Sequence, residues 1–143
     1  MSANRELLDL YVERYNEGDL DGVMDLYAED AVQVMPDGIF EGWSTVRERL
    51  AQELDGFTDL NHTVRSFVDQ GDTFADEWTF VGTHTGPFRL PDGTELPATG
   101  KRVEIRGMEL VQVRDGKIVL NSLYYDNLAA LAQLGLVPQG AIA

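Results

Sequence analysis

The stretch that decides the fold is Arg102-Val103-Glu104-Ile105-Arg106-Gly107-Met108-Glu109-Leu110-Val111-Gln112-Val113-Arg114, then Asp115-Gly116, then Lys117-Ile118-Val119-Leu120-Asn121-Ser122-Leu123-Tyr124-Tyr125. Two runs rich in β-branched residues flank an Asp-Gly dipeptide, the strongest short signal for a tight β-hairpin. Strand alternation places Val103, Ile105, Glu109, Val111 and Val113 on one face and Met108 and Leu110 on the other. Both faces of the strand therefore carry apolar residues, and both need cover.

Working outward, residues 86–100 are rich in Pro and Gly and read as a loop with at most short strands. Before it, Thr73 to Thr85 is a long strand and Thr63 to Val68 another, joined at the Gly71-Asp72 turn. Upstream of Gly56 the period changes. Leu7, Leu8, Tyr11, Val12 and Tyr15 form one helical stripe that stops at Gly18. Asp19 can cap a second short helix bearing Leu20, Val23, Met24 and Tyr27. Ser44 can cap a third, with Val46, Leu50 and Leu54 as its stripe. A short strand from Asp30 to Val34 ends at Pro36-Asp37-Gly38, and Asn127 to Leu134 reads as a short terminal helix. Three helices followed by an antiparallel sheet is an α+β layout, expected as one domain over residues 1–143.

Composition narrows the function classes. The chain has 143 residues, no Cys and a formal net charge of −14. Thiol nucleophiles, disulfides and thiolate metal sites are excluded. The acidic field repels a nucleic-acid backbone. No apolar run approaches a membrane span and the N-terminus lacks a signal pattern, so a cytoplasmic location is expected. His62 stands alone in Asp59-Leu60-Asn61-His62, so neither a metal nor another cofactor is expected.

Several features occur in a set order: Gly82-Thr83-His84-Thr85-Gly86-Pro87-Phe88, Pro97-Ala98-Thr99-Gly100-Lys101, Val111 to Ile118 around Asp115-Gly116, Tyr124-Tyr125-Asp126, and Gln133-Leu134-Gly135. Over roughly residues 5–137 this set resembles the SnoaL-like polyketide cyclases of the NTF2-like superfamily. The resemblance implies a cone: three N-terminal helices packed on a strongly curved antiparallel sheet, a short C-terminal helix, and a pocket between helices and the concave face. It also implies a homodimer through the opposite sheet face.

The resemblance also suggests site residues. In the cyclases the Asp before the last helix is the general acid/base, here Asp126; on residue pattern alone, Asp126 reads more readily as an N-cap, and the resemblance brings the two readings level. Glu109, a carboxyl among apolar neighbours, needs a partner or a proton. It falls where the related ketosteroid isomerases carry an acidic oxyanion donor; an Arg-paired residue on an edge or dimer face is the alternative. Tyr11 matches the isomerases' helix-1 tyrosine, and Tyr15 the pocket floor, although both also read as core. His84 alternates with Trp78, Phe80 and Gly82 and is expected at the pocket mouth, assisting or gating, or as a hydrogen-bonded rim residue. Trp78, Phe80 and Tyr124 are expected to shape the cavity. Met35 stands where the isomerases have their base, which argues against that mechanism, because a thioether takes no proton at neutral pH. The helping His of the cyclases is replaced by Val111 or Gln112.

The expected activity is cofactor-independent acid/base proton transfer α to a carbonyl, as in an aldol-type cyclisation or isomerisation by a lyase or isomerase, on a small apolar or polycyclic carbonyl compound. The alternatives are a non-catalytic small-molecule binder and an epoxide hydrolase-like enzyme using Glu104, Arg106 and Asp126.

Overall fold

The computed structural model describes residues 1–89 and 92–137. Helix α1 (Ala3–Asn16) starts at Ser2, whose hydroxyl accepts from the Arg5 amide, and ends at Gly18, which has a φ of 73°. Asp19 caps α2 (Leu20–Met24) by accepting from the Gly22 amide at 2.9 Å. Strands β1 (Tyr27–Met35) and β2 (Gly38–Glu41) form a small hairpin before α3 (Trp43–Gly56). Helix α3 begins after Gly42 with no side-chain cap, so Ser44 lies within its first turn and is not its N-cap. The Trp43 indole N–H donates to the Met24 carbonyl at 3.0 Å and ties the second and third helices together.

The rest of the chain is mostly sheet: β3 (Phe57–Gln70), β4 (Thr73–His84), the two-residue pair β5 (Phe88–Arg89) and β6 (Glu95–Leu96), β7 (Arg102–Arg114) and β8 (Lys117–Tyr125). Helix α4 (Asn127–Gln133) follows. The main sheet has the order β2-β1-β8-β7-β4-β3. The 86–100 segment has only the two short strands expected of it; residues 90 and 91 lie outside the described residues. The β7–β8 hairpin turns on Asp115 (φ 51°) and Gly116 (φ 76°), both in the left-handed region that a two-residue turn requires.

One pairing departs from the antiparallel expectation. Strand β1 runs parallel to β8, with Val32 opposite Leu120 and Val34 opposite Ser122, so the sheet is mixed. Parallel neighbours need a long connection, and here the whole of β2 to β7 supplies it. Curvature comes from register shifts in β3 between Thr58 and Asn61 and between Val64 and Ser66, with Asp59 at a φ of 52°. The α+β cone is thus established: α1 to α3 and α4 lie against the concave face.

The concave face carries the core. Phe74, Trp78 and Phe80 on β4 and Val103 and Val111 on β7 are buried against Leu8, Tyr15, Val46 and Leu50 from the helices. Gly107 has a specific task in that face. It lies opposite Trp78 in the β4–β7 register, and a Cβ there would stand 2.5 Å from the indole Cζ2 and 2.9 Å from the Tyr124 carbonyl oxygen. Any side chain would push the indole out of its place. No helix among the described residues is long and apolar enough to cross a membrane.

Candidate active site

A cavity of about 110 Å³ opens between the concave face and the helices. Six of the expected residues line it: Tyr11, Tyr15, Trp78, Phe80, His84 and Glu109. Met35, Arg49, Glu53, His62 and Tyr125 also contribute to the wall. Two expected residues do not reach it. Tyr124 is 66% exposed on the convex face. Strand alternation sends Tyr125 inward instead, so the right aromatic was one residue further along. Asp126 is exposed, and its Oδ1 accepts from the Ala129 amide at 2.9 Å, so its carboxylate caps α4. With Glu104 and Arg106 it borders a separate open groove that shares only Trp78, Ile105 and Ala130 with the cavity wall. The three residues of the epoxide hydrolase alternative are therefore neighbours, but outside the enclosed cavity.

Behind the cavity wall, Tyr11, Gln33 and Glu109 join Tyr27 and Asn121 in a connected polar network. The Tyr27 hydroxyl donates to Asn121 Oδ1 at 3.0 Å, and Gln33 Nε2 donates to the same oxygen at 2.9 Å. Tyr11 and Tyr27 hydroxyls are 3.0 Å apart. Because Tyr27 spends its proton on Asn121, Tyr11 must donate to Tyr27. Tyr11 thus holds the network in place and does not aim its proton at a ligand. Asn121 Nδ2 in turn donates to Glu109 Oε2.

Glu109 is 8% exposed, and directly across the β4–β7 register lies Asp76, 2% exposed. Neither Asp76 oxygen has a hydrogen-bond partner. Burial, followed by the Asp76 charge, pushes the Glu109 carboxyl well above the usual carboxylate range. Burial likewise raises Asp76 to about 6. Two facing carboxyls in a dry site cannot both ionise cheaply, so the pair holds one proton at neutral pH.

The two histidines differ. His84 is fully buried and its Nδ1 accepts from the Thr99 amide at 3.2 Å. That bond fixes the proton on Nε2, which has no protein partner and belongs to a ring lining the cavity. Burial lowers its basicity, so His84 is a neutral donor. His62 packs between Tyr15 and Trp78, with ring centroids 5.6 and 5.3 Å away, and burial brings its pKa down to about 4. His62 is isolated in the sequence, and the bend of β3 brings it into the wall. Among the described residues, no group of three or more His, Asp or Glu side chains could hold a metal ion.

The family model for the SnoaL-like polyketide cyclases matches residues 5–134. The chain belongs to the SnoaL-like polyketide cyclase family. Solved structures agree in fold. AclR, a candidate hydroxylase from Streptomyces galilaeus, is 27% identical with a TM-score of 0.78, covering 94% of this chain and 96% of its own. IdmH, a candidate polyketide cyclase from Streptomyces antibioticus, is 28% identical with a TM-score of 0.73, covering 92% and 97%. A SnoaL-like protein from Jannaschia sp. CCS1 superimposes with a TM-score of 0.81 at 19% identity, covering 95% and 94%. No curated protein sequence matches the chain. In this SnoaL-like chain, Asp76, Asn121, Arg49 and Glu53 escaped the sequence reading. Arg49 and Glu53 left a signal: charged residues one turn apart beside Val46 and Leu50 on a buried helix face.

Two outcomes are expected from this geometry. Asp126→Asn should leave thermal unfolding almost unchanged, because Asn also caps, while Asp126→Ala should cost about 1 kcal/mol in urea unfolding. Asp76 binds its proton more tightly when folded (about 6) than at its ordinary value of 3.8. Its contribution to stability is therefore lost as pH rises through that window. Asp76→Asn should be more favourable relative to wild type at pH 8 than at pH 4, read as unfolding midpoints at the two pH values.

Proposed function

We propose that this SnoaL-like protein is a cofactor-independent enzyme that moves a proton at the carbon α to a ketone. The observation that carries this reading is Glu109: a cavity-facing carboxyl with a strongly raised proton affinity, backed by a second carboxyl that shares its proton. The shared proton rests mainly on Glu109, which burial and the Asp76 charge favour; once it passes to Asp76, Glu109 is a carboxylate in an aromatic cavity and a much stronger base than one in water. It takes the α-proton, leaving the electron pair as an enolate. The His84 Nε2–H and the Trp78 Nε1–H, both without protein partners, are the donors available to the enolate oxygen. Glu109 then returns the proton to carbon, or the enolate attacks a second carbonyl in an aldol step. Asn121, held by Tyr27 and Gln33, positions the Glu109 carboxyl.

An apolar cavity of about 150 Å³ accepts benzene, and this one, at about 110 Å³, is smaller, so the ligand it takes has no more than a single ring. The direct test follows deuterium incorporation into phenylacetone in D2O by NMR. Wild type is expected to exchange the α-protons above the buffer rate, Glu109→Gln to lose roughly 10²- to 10⁴-fold of that enhancement, and Asp126→Asn to keep it. No exchange in wild type, or full exchange in Glu109→Gln, refutes the assignment; binding without exchange supports a non-catalytic binder instead.

We also propose a homodimer through the convex sheet face. Val68, Met108, Leu110 and Tyr124 are 68%, 51%, 41% and 66% exposed there, and an apolar sheet face of this kind calls for cover. Light scattering at tens of micromolar should give a dimer, and Leu110→Asp a monomer.

A further inference from the structure

We infer that the cavity has a second pole, at Arg49, that binds a carboxylate on the ligand, so that the substrate of the proposed reaction is an acidic ketone. Arg49 projects from the buried face of α3, between Val46 and Leu50, and is only 7% exposed. Its guanidinium lies against two rings, with Cζ 4.8 Å from the Phe88 centroid and 5.7 Å from that of Phe40. Those contacts satisfy its faces. They do not satisfy its N–H groups: Nε and Nη1 are buried with no hydrogen-bond partner.

The acids nearby do not neutralise it. The ion pairs among the described residues are Arg5–Asp9, Arg47–Asp21 and Arg114–Asp30, and none includes Arg49. Glu53, one helical turn on, forms no ion pair with it, and burial raises the Glu53 carboxyl against the pull of Arg49. Asp37 also lines the cavity, and its Oδ1 is itself without a partner. An arginine does not lose its proton to relieve such a position. A buried guanidinium with free donors is costly, and a planar oxyanion that accepts two of its N–H groups relieves the cost.

The cavity thus offers a proton-exchanging carboxyl at Glu109 and a fixed cation at Arg49, both in one aromatic wall. The ligand this fits carries a ketone and a carboxylate on one ring. The protein's net charge of −14 repels anions in general, so any preference for an anionic ligand must arise locally.

The inference rests on the proton-transfer reading, and one matched pair of probes separates the two. Binding of 4-(2-oxopropyl)benzoate and of its methyl ester is measured by titration calorimetry, and α-deuterium exchange is followed on the same compounds and on phenylacetone. Wild type is expected to bind the carboxylate at least ten-fold more tightly than the ester. Arg49→Gln should erase that preference and Arg49→Lys keep part of it, with circular dichroism confirming that both fold. If Arg49→Gln does not fold, the wild-type preference and its weakening in Arg49→Lys decide the matter. Equal or weaker binding of the carboxylate by wild type, or a preference that survives in Arg49→Gln, overturns the anchor. Exchange on phenylacetone without carboxylate preference removes the anchor alone, whereas carboxylate preference without exchange removes the proton-transfer reading and leaves the anchor standing.

Discussion

The register between β4 and β7 is the constraint on which the site depends. That single alignment places Asp76 opposite Glu109 and Trp78 opposite Gly107. The first pairing puts two carboxyls face to face under the helices; the second removes a side chain so that an indole can lie across the neighbouring strand. A shift of one residue would turn Glu109 to the convex face and bring Met108 inward. The alternation of apolar residues on β7 forbids that shift, because Val103 and Val111 would leave the core together.

The site is built at some cost to the fold. Most buried polar groups in a folded protein find partners, yet Gln33 Oε1, both Asp76 oxygens, two Arg49 nitrogens, Trp78 Nε1 and His84 Nε2 are left without one. With the exception of Asp76, all of these belong to residues in the cavity wall, as do the likewise unpartnered Asp37 Oδ1 and His62 Nε2, while Gln52 Oε1 lies outside it. Their concentration in one place, rather than scattered through the core, is what separates a binding cavity from a packing fault.

The fold was legible because its signals are local. Asp115-Gly116 demanded left-handed backbone, and the change from helical to alternating period after Gly56 marked the layer boundary. The parallel β1–β8 pairing left no such mark, since nothing in residues 27–35 says which distant strand they will join. Half-legible is a fair description of the site. Glu109, Tyr11 and His84 could be placed by face, but Asp126 carried two readings, and cap geometry, which involves only its own next three residues, was the more local one. Tyr124 failed by a single step of strand parity. Arg49 and Asp76 were missed because charged residues within a periodic pattern are ordinarily assigned to solvent, and only the closed sheet shows that they are covered.

The parallel β1–β8 pair also bears on how the chain reaches this state. Strand β1 is made before its parallel partner β8, and β2, α3 and β3 to β7 lie between them, so all of that length must be looped before the two can meet. Such closure has an entropic cost and gains nothing until the far strand arrives. The β1–β2 hairpin therefore waits with one edge open, while β3, β4, β7 and β8 can assemble as successive antiparallel neighbours. The closing of the cone, with Tyr27 brought to Asn121, belongs to the end of folding rather than its beginning.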